Sequence, residues 1–136
     1  MNRILAPVFA LVALTVLVLF RTGFVRIRAI RQKRVPIQYF KLLQGFEPPP
    51  DILAPARNFA NLFEMPVLFY LACLMIWAGR LTDDHYVGLA WIYFALRLAH
   101  TVITLTVNKL RWRFGVFLLS NVPLIAIWVR LAIAML

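Results

Sequence analysis

Acidic side chains are scarce in this sequence, five against fifteen lysines and arginines, and charged residues make up only 15% of it. A soluble domain carries roughly a quarter charged residues, so an ordinary water-facing surface is excluded. Cysteine occurs once, at Cys73 in an apolar stretch, which excludes an intrachain disulfide and leaves the thiol as a small hydrophobe. No glycine-rich phosphate loop, Gly-x-Ser-x-Gly elbow or pair of catalytic carboxylates occurs, so nucleotide chemistry and hydrolysis have no support. At 136 residues the chain has room for one domain.

What the sequence has in quantity is hydrocarbon: 63% of its residues are hydrophobic. They fall into runs from Ile4 to Phe20, Arg57 to Ala78, Tyr86 to Val107 and Phe114 to Leu136. About 20 apolar residues cross a bilayer, so the expected fold is all-α, a single membrane domain of four transmembrane helices in an up-down-up-down bundle. With their flanks the helices are placed at about 4–32, 53–79, 84–108 and 112–135, with a long basic loop between the first two. The first run ends Leu-Val-Leu-Phe-Arg, without the small residues of a signal-peptide cleavage site, and is read as a mature helix. Pro66 and Pro123 predict kinks in the second and fourth helices. Glu47 to Asp51, with three consecutive prolines, predicts an extended linker.

A net charge of +10 raises the possibility of nucleic acid. The basic residues, however, cluster in the gaps between apolar runs, as Arg21 to Lys41 and Lys109 to Arg113. That is the pattern of membrane topology: positive gaps remain in the cytoplasm, and both termini lie on the other side. The bilayer, not nucleic acid, is the expected partner. In the gap between the second and third runs, Arg80 is balanced by Asp83 and Asp84, and Arg130 is expected to snorkel to headgroups.

Charges within a span cost at least ~2.5 kcal/mol each at the bilayer centre, so those present need a reason. Glu64 is the only acid inside a span, and it shares a helix face with Arg57 and Asn61 at i, i+4 and i+7. Arg97 and His100 share a face of the third span, Arg113 opens the fourth, and Ser120 and Asn121 lie two turns further in. One acid, one amide, one imidazole and three guanidinium groups can therefore converge between helices. A plain Glu64–Arg97 ion pair that fixes packing is the simplest structural alternative. His100 has no second histidine or cysteine at ligand spacing, so no metal site is expected.

These residues resemble a known family. Arg57-Asn-Phe-Ala-Asn61-Leu-Phe-Glu64 with Pro66 resembles the second-helix signature Arg-x-x-x-Asn-x-x-Glu of the MAPEG family. These are the membrane-associated proteins in eicosanoid and glutathione metabolism, among them microsomal glutathione S-transferases and microsomal prostaglandin E synthase. Arg97-Leu-Ala-His100-Thr101 resembles its third-helix segment, Arg113 the arginine opening its fourth helix, and Thr22 to Arg26 the end of its first. The resemblance implies a homotrimer with glutathione held between subunits by Arg26, Arg57, Asn61, Glu64, Arg97 and His100. It implies Arg113 beside the thiol as the catalytic residue, and a lipophilic electrophile as the other substrate. Ala60 departs from the prostaglandin synthase pattern, where an arginine stands; Thr104 and Phe117 replace tyrosines, and Phe114 a serine.

The resulting expectation is a thiol-dependent transferase or peroxidase, in the cytoplasmic membrane of a bacterium. Two other classes compete. A proton-coupled exporter of cationic drugs would use a lone membrane glutamate, but three nearby arginines would repel its cargo. A non-catalytic membrane protein of the same fold would use the polar cluster only for packing.

Overall fold

The structure is a computed structural model that describes residues 2–136. Helix α1 (Leu5–Arg31) follows a short 3₁₀ turn at Asn2–Ile4; α2 (Tyr39–Leu42) lies in the first connection. Helices α3 (Pro50–Asn61) and α4 (Met65–Ala78) together make the second span, and α5 (Asp84–Leu105) and α6 (Leu110–Met135) the third and fourth. Four segments, Asn2–Arg31, Pro50–Ala78, Asp84–Leu105 and Leu110–Met135, are long and apolar enough to cross a membrane. Among the described residues there is no strand. In hydrocarbon every backbone donor needs an internal partner, and helices supply it. The chain is thus an all-helical integral membrane protein.

The four segments pack through stripes at helical spacing. Leu11, Leu14 and Val18 of α1 meet Phe69, Ala72, Cys73 and Ile76 of α4, with Leu124, Ile127 and Leu131 from α6. Tyr93 of α5 stacks on Phe69 at 4.6 Å between ring centroids. The opposite faces leave large apolar side chains outside, Phe9, Leu17, Phe20, Ile125 and Ile133 among them. In water that surface would be an aggregation liability; against lipid it is solvated.

At the second span the structure departs from one kinked helix. The helix stops at Asn61 and restarts at Met65. Pro66 has no N–H for the Leu62 carbonyl and its ring crowds that carbonyl. The backbone turns instead: Phe63 donates to Ala60 (2.9 Å) and Glu64 to Asn61 (3.3 Å). Pro66 then sits in the first turn of α4, where a missing donor costs nothing. The same reasoning corrects the extended linker. Pro50 and Asp51 open α3 rather than preceding it, since proline at the first helical position suits its fixed φ. Pro123, by contrast, lies within an uninterrupted α6.

The acids of the α4–α5 connection are also used differently from the expectation. Asp83 caps α5 by accepting from the Tyr86 N–H (2.9 Å) and pairs with Arg130, not Arg80. Arg130 therefore ties the far end of α6 to α5 instead of snorkelling, and it lies over the Tyr86 ring at 4.2 Å. Arg3 bonds Asp84 (2.6 Å), and Trp77 Nε1 donates to Asn2 Oδ1 (3.1 Å). These links tie α1, α4, α5 and α6 together at one end of the bundle. At the other end Arg34 grips Asp51 through two bonds of 2.9 and 3.0 Å. Ala29, Val35, Tyr39 and Ile52 form a small cluster that holds the first connection against α1 and α3.

The Arg130 hydrogen bond, aided by the Tyr86 N–H, holds the Asp83 carboxyl below the usual carboxylate range. Its stabilisation is complete above the unfolded value near ~3.9 and is lost as pH falls through the lower folded value. Asp83→Asn is expected to lower the thermal midpoint at pH 7 by a few degrees, and to flatten the decline below about pH 4. Scanning fluorimetry in detergent at both pH values checks this; an unchanged acid limb in the variant would remove Asp83 from the account.

Candidate functional site at the break in the second span

The break in the second span assembles the polar residues. Arg57, Ala60, Asn61 and Glu64 follow one face of α3 into the turn, at i, i+3, i+4 and i+7. Across from them α5 presents His100 and Thr104, one turn apart, and α6 contributes Arg113 from its first turn. Together with Asn58 they line one cleft of about 290 Å³. The cleft opens on the outside of the bundle: Glu64 and Arg57 are exposed, and Glu64 has no ion-pair partner among the described residues.

Arg97 lies one layer inside and is completely buried. It does not pair with Glu64. Its Nη2 donates to the Asn61 carbonyl at 3.0 Å and to Asn61 Oδ1 at 2.5 Å. The Asn61 carbonyl already accepts from the Glu64 N–H across the break (3.3 Å), so Arg97 adds a second donor there and fixes the Asn61 amide in the same contact. A guanidinium has five N–H donors; Nε and Nη1 of Arg97 have no partner among the described residues. The Phe117 ring covers this guanidinium at 5.8 Å, a favourable contact for a cation.

The remaining groups are held by short local bonds. Arg113 Nη1 donates to Asn108 Oδ1 at 2.8 Å. Asn108 sits in the tight α5–α6 connection at φ +47°, a left-handed conformation that asparagine tolerates. Thr104 Oγ1 bonds back to the His100 carbonyl (2.8 Å), while His100 Nδ1 has no partner among the described residues. Asn58 Nδ2 donates to Thr101 Oγ1 at 3.3 Å, tying α3 to α5 beneath the cleft.

Of the residues that the sequence singles out, Arg57, Asn61, Glu64, His100 and Arg113 line this cleft, and Arg97 supports it. Arg26 lies elsewhere, at an adjoining cavity with Arg57 and Ala60. Ser120 and Asn121 turn away from it: both donate to the Phe117 carbonyl of their own helix, at 2.7 and 2.9 Å. Asn58 and Asn108 were not assigned from the sequence. An asparagine buried to 1% exposure in the same helix as the polar face was the available signal for Asn58 only once its partner Thr101 was known. Asn108 carried a weaker one, an asparagine at a helix end.

Chemically the cleft combines one carboxylate with two guanidinium groups, an amide and an imidazole. It can hold a molecule that bears both an amine and carboxylates, by charge-assisted bonds. Asn58→Leu is expected to destabilise the protein by ~1–3 kcal/mol, since it leaves the Thr101 hydroxyl without its partner. Combined with Thr101→Val in a thermal-unfolding cycle, the loss should be less than the sum; strict additivity would show that the bond contributes nothing.

The sequence model of the MAPEG family matches residues 4–133 of this chain. No curated protein and no solved structure matches it.

Proposed function

Because the chain belongs to the MAPEG family, and so is a membrane protein of glutathione and eicosanoid metabolism, we propose that the cleft binds glutathione or a similar thiol and that the protein is a membrane-embedded transferase or peroxidase acting on a lipophilic electrophile. One observation carries this reading. Arg57, Asn61, Glu64, His100 and Arg113, from three helices, line a single cleft in an otherwise apolar membrane protein. An unpaired carboxylate in the middle of a span is costly, and a ligand amine supplies the missing countercharge.

The residues fit such a thiol. Glu64 takes the amine, Arg57 a carboxylate, and Asn61, oriented by Arg97, a backbone amide of the ligand. Arg113, steadied by Asn108, is the catalytic residue. Its guanidinium favours the ionised form of a thiol, whose free pKa is about 8.5. When bound, the thiol supplies a sulfur nucleophile that bonds to an electrophilic carbon as the displaced group leaves with its electron pair. His100 closes the inner wall and excludes water. Thr104, Phe114 and Phe117 stand where the prostaglandin synthase pattern has hydroxyl donors. That leaves Arg113 to stabilise the sulfur without phenol hydrogen bonds, and a phenylalanine cannot supply them.

A cleft that opens on the outer face of the bundle leaves room for a second copy to complete it, in keeping with the homotrimer that the family implies. The basic first and third connections support an orientation with the cleft end of the bundle at the cytoplasmic side, both termini opposite, in what we read as a bacterial inner membrane. A cation exporter is the weaker reading, since Arg57 and Arg113 in the same cleft repel its cargo.

Calorimetric titration of glutathione into the detergent-purified protein tests the reading. Saturable binding is expected, weakened about 10–100-fold in Glu64→Gln, as loss of one charge-assisted bond predicts. A folded protein that binds no glutathione or related thiol would overturn it.

A further inference from the structure

Arg21 and Arg28 lie two turns apart on one face of α1, and neither pairs with an acid among the described residues. Both line a cavity of about 330 Å³ together with Gln32, Arg34 and Asp51. This cavity shares no residue with the polar cleft. Asp51 is the only acid that lines it, and Arg34 already holds that carboxylate through two bonds of 2.9 and 3.0 Å. Two guanidinium groups are therefore left at this space without a countercharge. Phe24, Arg28 and Gln32 also border an adjoining groove along α1, completed by Ile27 and Arg31. Phe24 and Ile27 are both more than half exposed.

The depth of these groups in the bilayer decides what they meet. At the other end of α1 the apolar run begins just after Arg3, whose guanidinium is bonded to Asp84. From Ile4, about 20 residues rising ~1.5 Å each cross a hydrocarbon layer of ~30 Å, which brings its far boundary close to Phe24. Arg21 then lies just inside that boundary and Arg28 just outside it. An arginine so placed extends its head to the interface, so the two guanidinium groups converge at the level of the lipid phosphates. Phe24 and Ile27 stand beside the first part of an acyl chain.

We propose that this cavity holds the phosphodiester of an anionic phospholipid, with one acyl chain along Phe24 and Ile27. Arg21 and Arg28 grip the phosphate oxygens through charge-assisted, two-pronged bonds, and the Gln32 amide meets a headgroup hydroxyl. An ammonium-bearing headgroup is disfavoured, because two unpaired guanidinium groups repel it and the one carboxylate is occupied. Free phosphate shares the anionic chemistry; the depth of the site and the apolar groove beside it favour the lipid. The site uses no residue of the thiol cleft and stands or falls apart from it.

Native mass spectrometry of the detergent-purified, full-length protein tests this, by titration with phosphatidylglycerol or with phosphatidylcholine of the same acyl chains. The first phosphatidylglycerol should bind at least several-fold more tightly than the first phosphatidylcholine. Arg21→Gln with Arg28→Gln should weaken it about tenfold or more, as loss of two charge-assisted bonds predicts, and each single substitution should give part of that loss at unchanged helicity and elution volume. Lys109→Gln with Arg111→Gln removes the same charge from the third connection and should leave that first affinity within about twofold. Millimolar inorganic phosphate should leave the lipid bound. Equal affinity for the two lipids, or equal losses in the two double variants, would overturn the proposal by reducing it to diffuse attraction. Displacement of the lipid by inorganic phosphate would also overturn it, by making the occupant a free anion.

Discussion

The bond on which the site depends is the one from Arg97 to Asn61. Pro66 ends the α3 ladder in the middle of the second span, where lipid offers no replacement donors. A buried guanidinium from α5 meets both the carbonyl and the side-chain amide of Asn61. Without that contact the buried guanidinium would lose both of its acceptors, which is costly in hydrocarbon, and the Asn61 carbonyl would keep only the Glu64 N–H. With it, a defect in the helix becomes a fixed turn that carries Glu64 to the surface of the bundle. Arg97 itself is a buried charge held by only two acceptors and an aromatic face, so the arrangement is costly and points to a function beyond packing.

The two ends of the bundle differ for a physical reason. Near the chain termini, Arg3–Asp84, Asn2–Trp77 and Arg130–Asp83 cross-link four helices. Around the cleft Arg57, Glu64 and Arg113 make no ion pair among the described residues, and the first connection is held by a small apolar cluster and the Arg34–Asp51 pair. Stability is concentrated where no chemistry is proposed. Local openings are drawn from the less cross-linked end, where a ligand must enter.

Much of this was legible in the sequence. The four spans followed from apolar run length, and the shared face of Arg57, Asn61 and Glu64 from helical spacing alone. The partner of Arg97 was not legible, because a carbonyl freed by a helix break has no residue type to mark it; a carboxylate was the visible candidate and the wrong one. The Arg130–Asp83 pair depends on α6 returning antiparallel beside α5, so it joins residues that no local pattern relates. Arg26 was placed by family pattern in the thiol site. In the structure α1 continues as helix to Arg31, and this sets Arg26 over Phe40 at the neighbouring cavity. Ala60 was visible as a departure, but that it lines two adjoining cavities needed the packing of the first connection.

The most direct test of the central claim is amide hydrogen exchange across residues 58–66 in nanodiscs, comparing the native protein with Arg97→Gln. If Arg97 fixes the break, exchange at Leu62, Phe63 and Glu64 should rise roughly tenfold or more in the variant, with the α5–α6 packing unchanged and glutathione binding weakened in parallel. Unchanged exchange at those three amides would show that the turn holds without Arg97 and would contradict the account.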